Sequence, residues 1–164
     1  EEPFTFSPGQ HCVLRLRAED GYTAQRSYSI ASDPADPLLE LMVECLPCGE
    51  VSGHLHDEAR VDDAFELRGP IGGWFTWIGD VRAVCLTGGT GVVPVVSMLR
   101  YAHRVGVTDR LRVCAVGRTQ LELPYAEELL AFARGREVVP VEPRVVVSGE
   151  TARVLLPGEP GYED

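Results

Sequence analysis

Residues 26–32 bring together a cation, an aromatic ring and several hydroxyl groups. Alternation along a β-strand places Arg26 and Tyr28 on one face and Ser27 and Ser29 on the other. A flavin needs an aromatic ring to stack on, a hydrogen-bond partner near its reactive nitrogen and a cation for its phosphates. The stretch can supply all three. An ordinary exposed edge strand can have the same residues, so both interpretations stay open at this point.

A second feature that could bind a ligand is the glycine-rich run at residues 86–94. Gly88, Gly89 and Gly91 follow an apolar strand, and Pro94 suits the first turn of a helix. Glycine lets the backbone turn tightly and approach a ligand, and a helix N-terminus offers N–H donors and partial positive charge to a pyrophosphate. The run is not a complete G-x-G-x-x-G. It therefore indicates either a dinucleotide-binding loop or a tight connection without a ligand.

An arginine follows the second apolar strand of this region. That strand, residues 111–116, ends with residues 113–116, and Gly117 and Arg118 come directly after it. Folds that prefer NAD place an acidic residue here, whereas an arginine suits the 2′-phosphate of NADP through its charge and bidentate geometry. Arg118 therefore predicts NADP, with a solvated arginine at a strand end as the alternative.

The elements that must position these residues change in character near the middle of the chain. Up to about residue 68, short strands separated by turns indicate a small antiparallel β-barrel. After residue 73, a strand, a glycine loop, a helix, a strand and a helix follow the doubly wound α/β plan. We predict an α+β chain of two domains, at residues 1–78 and 79–164. The predicted strands are 11–17, 27–31, 38–46, 64–67, 83–87, 111–116 and 137–141, and the predicted helices are 51–59, 94–104 and 124–133. Strand 83–87 is expected to be buried on both faces.

Composition limits the classes of partner. The 164 residues include 15 basic and 25 acidic side chains, for a net charge of −10, which argues against nucleic acid. No apolar run approaches the roughly 20 residues of a membrane helix, and the N-terminus lacks the layout of a signal peptide. We therefore expect no membrane partner. Three of the five cysteines lie in apolar runs, which favours a reducing cytoplasm.

One cysteine pair, Cys45 and Cys48, has C-x-x-C spacing. Such a pair can be a redox dithiol or half of a zinc site. The sequence has no second C-x-x-C, and this one lies in a turn instead of at a helix start. We therefore predict no metal site.

Five motifs in residues 4–129 resemble, in order and spacing, those of the ferredoxin–NADP⁺ reductase superfamily. They are Phe6-x-Pro8-Gly9-Gln10, Arg26-x-Tyr28-Ser29, Gly49-x-x-Ser52-x-x-Leu55, Gly69-Pro70-x-Gly72 and Gly88-Gly89-Thr90-Gly91-x-x-Pro94. The resemblance implies a β-barrel that binds FAD, followed by an α/β domain that binds a nicotinamide dinucleotide.

The resemblance also implies roles for individual residues. Arg26 would pair with the flavin phosphates, Tyr28 would stack on the isoalloxazine ring and Ser29 would lie near N5, so Tyr28 and Ser29 are the predicted catalytic residues. Ser52 would hold the pyrophosphate, which favours FAD over FMN. The other predicted cofactor-binding residues are Ser27, Gly49, Val51, Gly88, Gly89, Thr90, Gly91 and Arg118, with Thr90 lying between the two cofactors.

The implied activity is a flavin-dependent oxidoreductase. A hydride would pass from NADPH or NADH to FAD, and electrons would then go to an iron–sulfur protein or another acceptor. The sequence departs from the family in two places: only three residues precede Phe4, and no Cys-Gly-Pro-like motif follows Phe132. Residues 144–156 instead predict a β-hairpin. These departures predict a chain truncated at both ends relative to the family. The alternative function is a catalytically incomplete remnant that binds flavin or a partner, and a homodimer is one way to cover exposed sheet edges.

Overall fold

The structure, a computed structural model, describes residues 4–117, 119, 122–133, 144–148 and 151–155. The chain divides into two compact units, Glu1–Tyr125 and Ala126–Asp164. Arg118 and the strand predicted at 137–141 lie outside the described residues.

The first unit begins with a three-stranded antiparallel sheet. Its strands are β1 (His11–Arg17), β2 (Thr23–Ser29) and β3 (Glu66–Ile71), in the order β2-β1-β3. Along β1, the buried residues Cys12 and Leu14 alternate with more exposed neighbours, as expected for a strand with one face in the core. β2 is an edge strand of this sheet.

A short helix, α1 (Glu50–Asp57), follows a turn that is closed by a backbone hydrogen bond. The N–H of Gly49 donates to the carbonyl oxygen of Leu46 at 3.0 Å. Val51 and Ser52 in the first turn of α1 are buried. This helix confirms the prediction for residues 51–59, with slightly earlier bounds.

A parallel βαβ arrangement completes the first unit. β4 (Ala83–Gly88) and β5 (Leu111–Val116) pair in parallel, and α2 (Val93–Val105) connects them after a 3₁₀ turn at Gly89–Val92. α2 ends at Gly106, whose φ of 76° is the left-handed conformation that glycine commonly adopts after a helix. The strands and the helix predicted here are confirmed.

Helix α2 forms much of the core of this unit, whereas β4 is less buried than expected. The prediction that residues 83–87 are buried on both faces is wrong, because Val84 and Leu86 are 80% and 65% exposed. In the described residues the parallel sheet has two strands, so one face of β4 keeps its apolar side chains in solvent. The buried residues of α2 are Val93, Pro94, Val95, Val96, Ser97, Met98, Leu99 and Ala102.

The second unit contains α3 (Ala126–Ala133) and an antiparallel hairpin formed by β6 (Arg144–Ser148) and β7 (Thr151–Leu155). Glu127 and Glu128 in the first turn of α3 are negatively charged, which is favourable at a helix N-terminus. The hairpin confirms the prediction made from residues 144–156.

The predicted α+β class is confirmed, since an antiparallel sheet precedes a parallel sheet with helices. The described residues supply three strands for the predicted barrel. Among the described helices, none combines the length and the apolar character that crossing a bilayer requires.

One predicted strand is wrong. Residues 38–46 form no strand, and their pairing is limited to an isolated bridge between Leu41 and Ile30. Apolar alternation suggests a strand here, but the side chain of Glu40 is instead hydrogen-bonded by Arg100 of α2 at 2.8 Å. A contact 60 residues away in the chain thus fixes a segment whose local pattern favours a ladder.

Candidate functional site

The cation and the aromatic ring of β2 lie on the same face of the antiparallel sheet. Arg26 pairs with Leu14 and Tyr28 pairs with Cys12 in the register of β1 and β2. Directly opposite residues of an antiparallel pair share a face, so both predicted side chains extend the face on which β1 is buried. Because β2 is an edge strand, Arg26 is exposed and Tyr28 is half-buried at the border of the core.

Ser29 and Ser27 occupy the opposite face, as alternation predicts. Ser29 is half-buried at the end of β2 and pairs with His11, whereas Ser27 is exposed and pairs with Val13. Directly after Ser29, the Ile30 N–H donates to a carbonyl oxygen of the 7–10 loop at 3.1 Å. The structure therefore gives the end of β2 a fixed backbone position.

β2 and the residue before it lie next to the beginning of α1. The Tyr22 hydroxyl donates to the two carboxylate oxygens of Glu50 at 3.2 and 3.0 Å. This hydrogen bond raises the pKa of Tyr22, while the charge of Arg26 acts in the opposite direction. Burial raises the pKa of Tyr28, and the charge of Arg26 again opposes the shift. The charge of Arg26 thus acts on both hydroxyls, and the Tyr22 hydroxyl is the group that contacts the first residue of α1.

The start of α1 has uncapped backbone N–H groups and a tightly packed turn before it. Gly49 is its N-cap and provides no side-chain cap, so the N–H groups of the first turn keep no partner inside the helix. Ser52 is 6% exposed, and its Oγ accepts the Leu46 N–H at 3.2 Å. A Cβ on Gly49 would overlap Ser52 Oγ, so only glycine leaves this geometry undisturbed.

The loop between β4 and α2 is exposed and equally tight. Gly89 has a φ of +51°, in the left-handed region. A Cβ on Gly88 would lie 3.2 Å from the Val116 carbonyl oxygen, and one on Gly91 would lie 3.1 Å from Thr87 Oγ1. Thr90 is exposed within this loop, which presents its backbone to solvent.

α2 and the segment after β2 are joined by polar contacts that no local pattern in the sequence predicts. Buried Ser97 donates from Oγ to the Ser32 carbonyl oxygen at 2.6 Å. Arg100 donates from Nη1 to the Ala31 carbonyl oxygen at 3.0 Å and to Glu40 Oε2 at 2.8 Å. These partners are 60 to 69 residues apart in the chain, beyond the reach of motif or periodicity arguments.

The same contact includes a largely buried carboxylate. Asp33 is 4% exposed, and its Oδ1 accepts Arg104 Nε at 2.8 Å and the Ala35 N–H at 2.7 Å. Nearby, the Tyr125 hydroxyl donates to Glu40 at 2.7 Å. Burial raises the pKa of Glu40, but hydrogen bonds from Arg100 and Tyr125 and the Arg100 charge outweigh it and hold that pKa below its ordinary value.

The cysteine pair shows no metal environment. Cys45 and Cys48 are both exposed free thiols. Within the part of the chain that the structure describes, no three His, Cys, Asp or Glu side chains are grouped so as to hold a metal ion.

Comparison with known proteins gives a family match and a set of relatives. Residues 1–76 match the family model of the oxidoreductase FAD-binding domain. The chain is 33% identical over 133 residues to the ferredoxin–NAD(P)⁺ reductase component of the naphthalene 1,2-dioxygenase system of Pseudomonas putida, covering 80% of this chain and 39% of that protein. It is 34% identical over 142 residues to methane monooxygenase component C of Methylosinus trichosporium, covering 86% of this chain and 41% of that protein. The chain therefore spans about two-fifths of the length of these relatives.

Solved structures share the fold. The flavohem-like FAD/NAD-binding domain of nitric oxide dioxygenase from Vibrio cholerae O1 biovar El Tor aligns with a TM-score of 0.70 and 20% identity, over 79% of this chain and 57% of that one. A ferredoxin–NADP⁺ reductase from Neisseria gonorrhoeae, with bound FAD and NADP, aligns with a TM-score of 0.61 and 19% identity, over 80% of this chain and 55% of that one. At these identities the likeness concerns the fold.

Proposed function

This chain belongs to the ferredoxin–NADP⁺ reductase superfamily, and from that premise we propose that it binds FAD and serves as an NAD(P)H-dependent flavoprotein reductase. A hydride from NADPH or NADH would reduce the flavin, and electrons would pass on to a ferredoxin-like or other acceptor. The observation that carries the proposal is the arrangement of Arg26 and Tyr28 on one face of β2, a strand that contacts α1.

The residues present fit a flavin dinucleotide. A flat ring can stack on the half-buried Tyr28, and a phosphate can reach both the exposed Arg26 and the first-turn N–H groups of α1. Glycine at position 49 also keeps the turn before α1 in place, because a Cβ there would overlap Ser52 Oγ. A pyrophosphate spanning these two groups favours FAD over FMN.

Each side chain then has a defined task. Tyr28 would stack on the flavin ring, and Ser29, whose side chain is on the opposite face at the end of β2, is proposed to lie near the flavin N5. Arg26 would neutralise phosphate charge. Ser52 is proposed to hold the pyrophosphate, and its Oγ also keeps the 46–49 turn in place by accepting the Leu46 N–H. The bound flavin supplies the redox chemistry, and the protein supplies position and electrostatics.

The nicotinamide dinucleotide is proposed to bind at the loop of Gly88, Gly89, Thr90 and Gly91. Its tight, exposed backbone suits a ligand that approaches the main chain closely. Thr90 would lie between the two cofactors. Arg118 follows β5 and would select NADP over NAD by pairing with the 2′-phosphate. In this proposal residues 1–78 hold the flavin, and the nicotinamide half begins at residue 79.

The proposed acceptor is an iron–sulfur protein of the ferredoxin type. Support comes from the names of the relatives, which are the ferredoxin–NAD(P)⁺ reductase component of a dioxygenase system and component C of a methane monooxygenase. Cysteines that lie free in the described structure suit a cytoplasmic location, and the net charge of −10 disfavours a nucleic acid partner.

A second candidate is a protein that binds flavin without turnover. The hairpin of β6 and β7 favours it, because the superfamily resemblance predicts a continuing parallel sheet in that part of the chain. The two candidates differ in what the flavin-loaded protein does with a nicotinamide donor.

An assay of flavin loading and electron transfer separates these candidates. The protein is incubated with FAD, freed of excess flavin by gel filtration and assayed for reduction of ferricyanide with NADPH and then NADH. One equivalent of retained FAD with NADPH-dependent reduction supports the reductase. Retained FAD without reduction supports the second candidate, and failure to retain FAD contradicts both.

A further inference from the structure

We propose that one face of α2 holds the segment that follows β2 and thereby sets the position of the nicotinamide loop against the flavin strand. We name this contact the α2 clasp. It rests on the proposed function, and its members are positioning residues that touch neither cofactor. The α2 clasp consists of Ser97, Arg100 and Arg104 on the helix and Ala31, Ser32 and Asp33 on the segment after β2.

The three helix residues of the α2 clasp share one face of α2 and contact consecutive residues of the segment after β2. Positions 97, 100 and 104 lie one above another on one helix face. They contact three consecutive residues, at the Ala31 carbonyl, the Ser32 carbonyl and the Asp33 carboxylate, over distances of 3.0, 2.6 and 2.8 Å. Three adjoining contacts of this kind fix the position of α2 along its own axis and its rotation about that axis, relative to the end of β2.

The burial of these groups distinguishes the α2 clasp from a surface ion pair. Ser97 is fully buried and the Asp33 side chain is 6% exposed, whereas the Arg104 side chain that reaches Asp33 is 44% exposed. A buried carboxylate that loses its cation keeps an uncompensated charge, so Asp33 has a strong preference for the position in which Arg104 reaches it. By contrast, the Arg15–Glu66 pair on the antiparallel sheet has side chains 40% and 61% exposed.

A separate contact holds the same helix from another side. Gly9 has a φ of +96°, and a Cβ there would lie 2.8 Å from the terminal methyl group of Met98. The Trp77 N–H donates to the Pro8 carbonyl oxygen at 3.2 Å, which ties the 7–10 loop to the chain entering the parallel sheet. α2 is therefore packed against two segments that flank β2 at its end.

Only a few residues of the chain separate the α2 clasp from the predicted cofactor residues. Ala31 comes two residues after Ser29, and α2 begins directly after the turn Gly89–Val92. A shift of α2 would therefore move the nicotinamide loop relative to Tyr28. Hydride transfer is sensitive to such shifts, because a misplacement of about 1 Å can cost on the order of a hundredfold in rate.

The test compares variants of the α2 clasp with a matched control. Arg104→Gln removes the charge of the buried pair, and Arg15→Gln removes an exposed pair that lies away from α2. The readouts are the FAD dissociation constant, the unfolding temperature and the rate of flavin reduction at saturating NADPH, measured well below that temperature. We expect Arg104→Gln to slow reduction by about tenfold to a hundredfold with FAD affinity within about twofold of the parent. The control should leave the rate unchanged, and Arg104→Lys should restore part of it.

A double-mutant cycle tests whether Arg104 acts through Asp33. Asp33→Asn keeps an oxygen for the Ala35 N–H but removes the charge that Arg104 faces. If the pair acts as a unit, the rate of the double variant should resemble that of either single variant. Additive losses would contradict this part of the inference.

A third measurement keeps the α2 clasp testable if the protein does not reduce its flavin. In that case the proposed reduction by a nicotinamide donor is rejected, and amide hydrogen exchange tests the α2 clasp independently of it. Arg104→Gln should then speed exchange together in residues 28–33 and 86–93, and Arg15→Gln should not. The inference is overturned if Arg104→Gln lowers the unfolding temperature while leaving both the reduction rate and this exchange at parental values.

Discussion

Tyr28 lies directly opposite Cys12 across β1 and β2, and the Cys12 thiol lies 3.8 Å from the Tyr28 carbonyl oxygen. Cys12 is fully buried, so the backbone that carries the Tyr28 ring is anchored in the core while the ring reaches the edge of the sheet. Both groups are neutral near pH 7 at their ordinary pKa values of 9.0 and 10.0, and burial raises the pKa of each further. A neutral, fixed aromatic ring is what stacking on a flavin requires.

Replacing this ring should weaken flavin binding. Tyr28→Ala removes the stacking surface and is expected to cost about 1–3 kcal/mol of FAD binding free energy, the range found for a base stacked on an aromatic ring. Tyr28→Phe keeps the ring and should bind FAD nearly as well as the parent. Titration followed by flavin fluorescence measures both variants. Equal affinities for the alanine variant and the parent would rule out stacking at this position.

Removing the charge of Arg26 should affect phosphate-bearing flavins selectively. Hydrogen bonds to charged groups contribute about 1.5–3 kcal/mol, so Arg26→Gln should weaken FAD and FMN by roughly tenfold to a hundredfold. Riboflavin lacks a phosphate and should bind the variant and the parent alike. The loss for FAD should also shrink as salt is added, since the guanidinium is exposed. A comparable loss for riboflavin would assign Arg26 to the fold and not to a phosphate.

Two glycines of the α1 region offer a matched pair of alanine substitutions. Gly49→Ala would push a methyl group onto Ser52 Oγ, whereas the corresponding space at Gly53 is open. We expect Gly49→Ala to displace the 46–49 turn and weaken FAD by about tenfold, equivalent to about 1.4 kcal/mol. Gly53→Ala should keep FAD affinity and stabilise the protein by about 0.5–1 kcal/mol, because alanine favours a helix interior. Equal effects of the two variants on FAD would argue against a phosphate site at the helix start.

Glu40 should contribute a pH-dependent part of the stability. Its pKa is lower in the folded protein than its ordinary value of 4.5. Stability from this group is therefore fully present above pH 4.5 and is lost as the pH falls below that value toward the folded pKa. Glu40→Gln should lower the free energy of unfolding at pH 7, and its difference from the parent should shrink as the pH falls below 4.5. Denaturant unfolding at several pH values measures it, with the exposed Glu44→Gln as control; a difference that does not change with pH would contradict the assignment.

Much of the fold could be predicted from local pattern. The bounds of β1 follow from apolar alternation, and those of α2 follow from an apolar run after Pro94. The residues of the predicted flavin site were also within reach, because Arg26 and Tyr28 depend on strand periodicity and on a short motif. Such features are local, so a single stretch of sequence contains the whole signal.

Features that depend on distant partners could not be predicted. Nothing near Asp33 indicates that Arg104, 71 residues later, will cover it. Likewise, the polarity of Glu40 gives no hint that Arg100 and Tyr125 hold it, and without those contacts residues 38–46 resemble a strand. The exposure of Val84 has the same origin, since burial on a second face depends on what packs there and not on the strand itself.

Hydride transfer from a nicotinamide donor to the bound flavin is tested most directly by anaerobic absorbance spectra of the FAD-loaded protein, recorded before and after addition of NADPH to one sample and of NADH to another. We expect the flavin spectrum to bleach with NADPH, and more slowly with NADH because Arg118 is proposed to select the 2′-phosphate. A flavin spectrum that neither nucleotide bleaches would contradict the claim that this chain brings a nicotinamide donor and a flavin into contact.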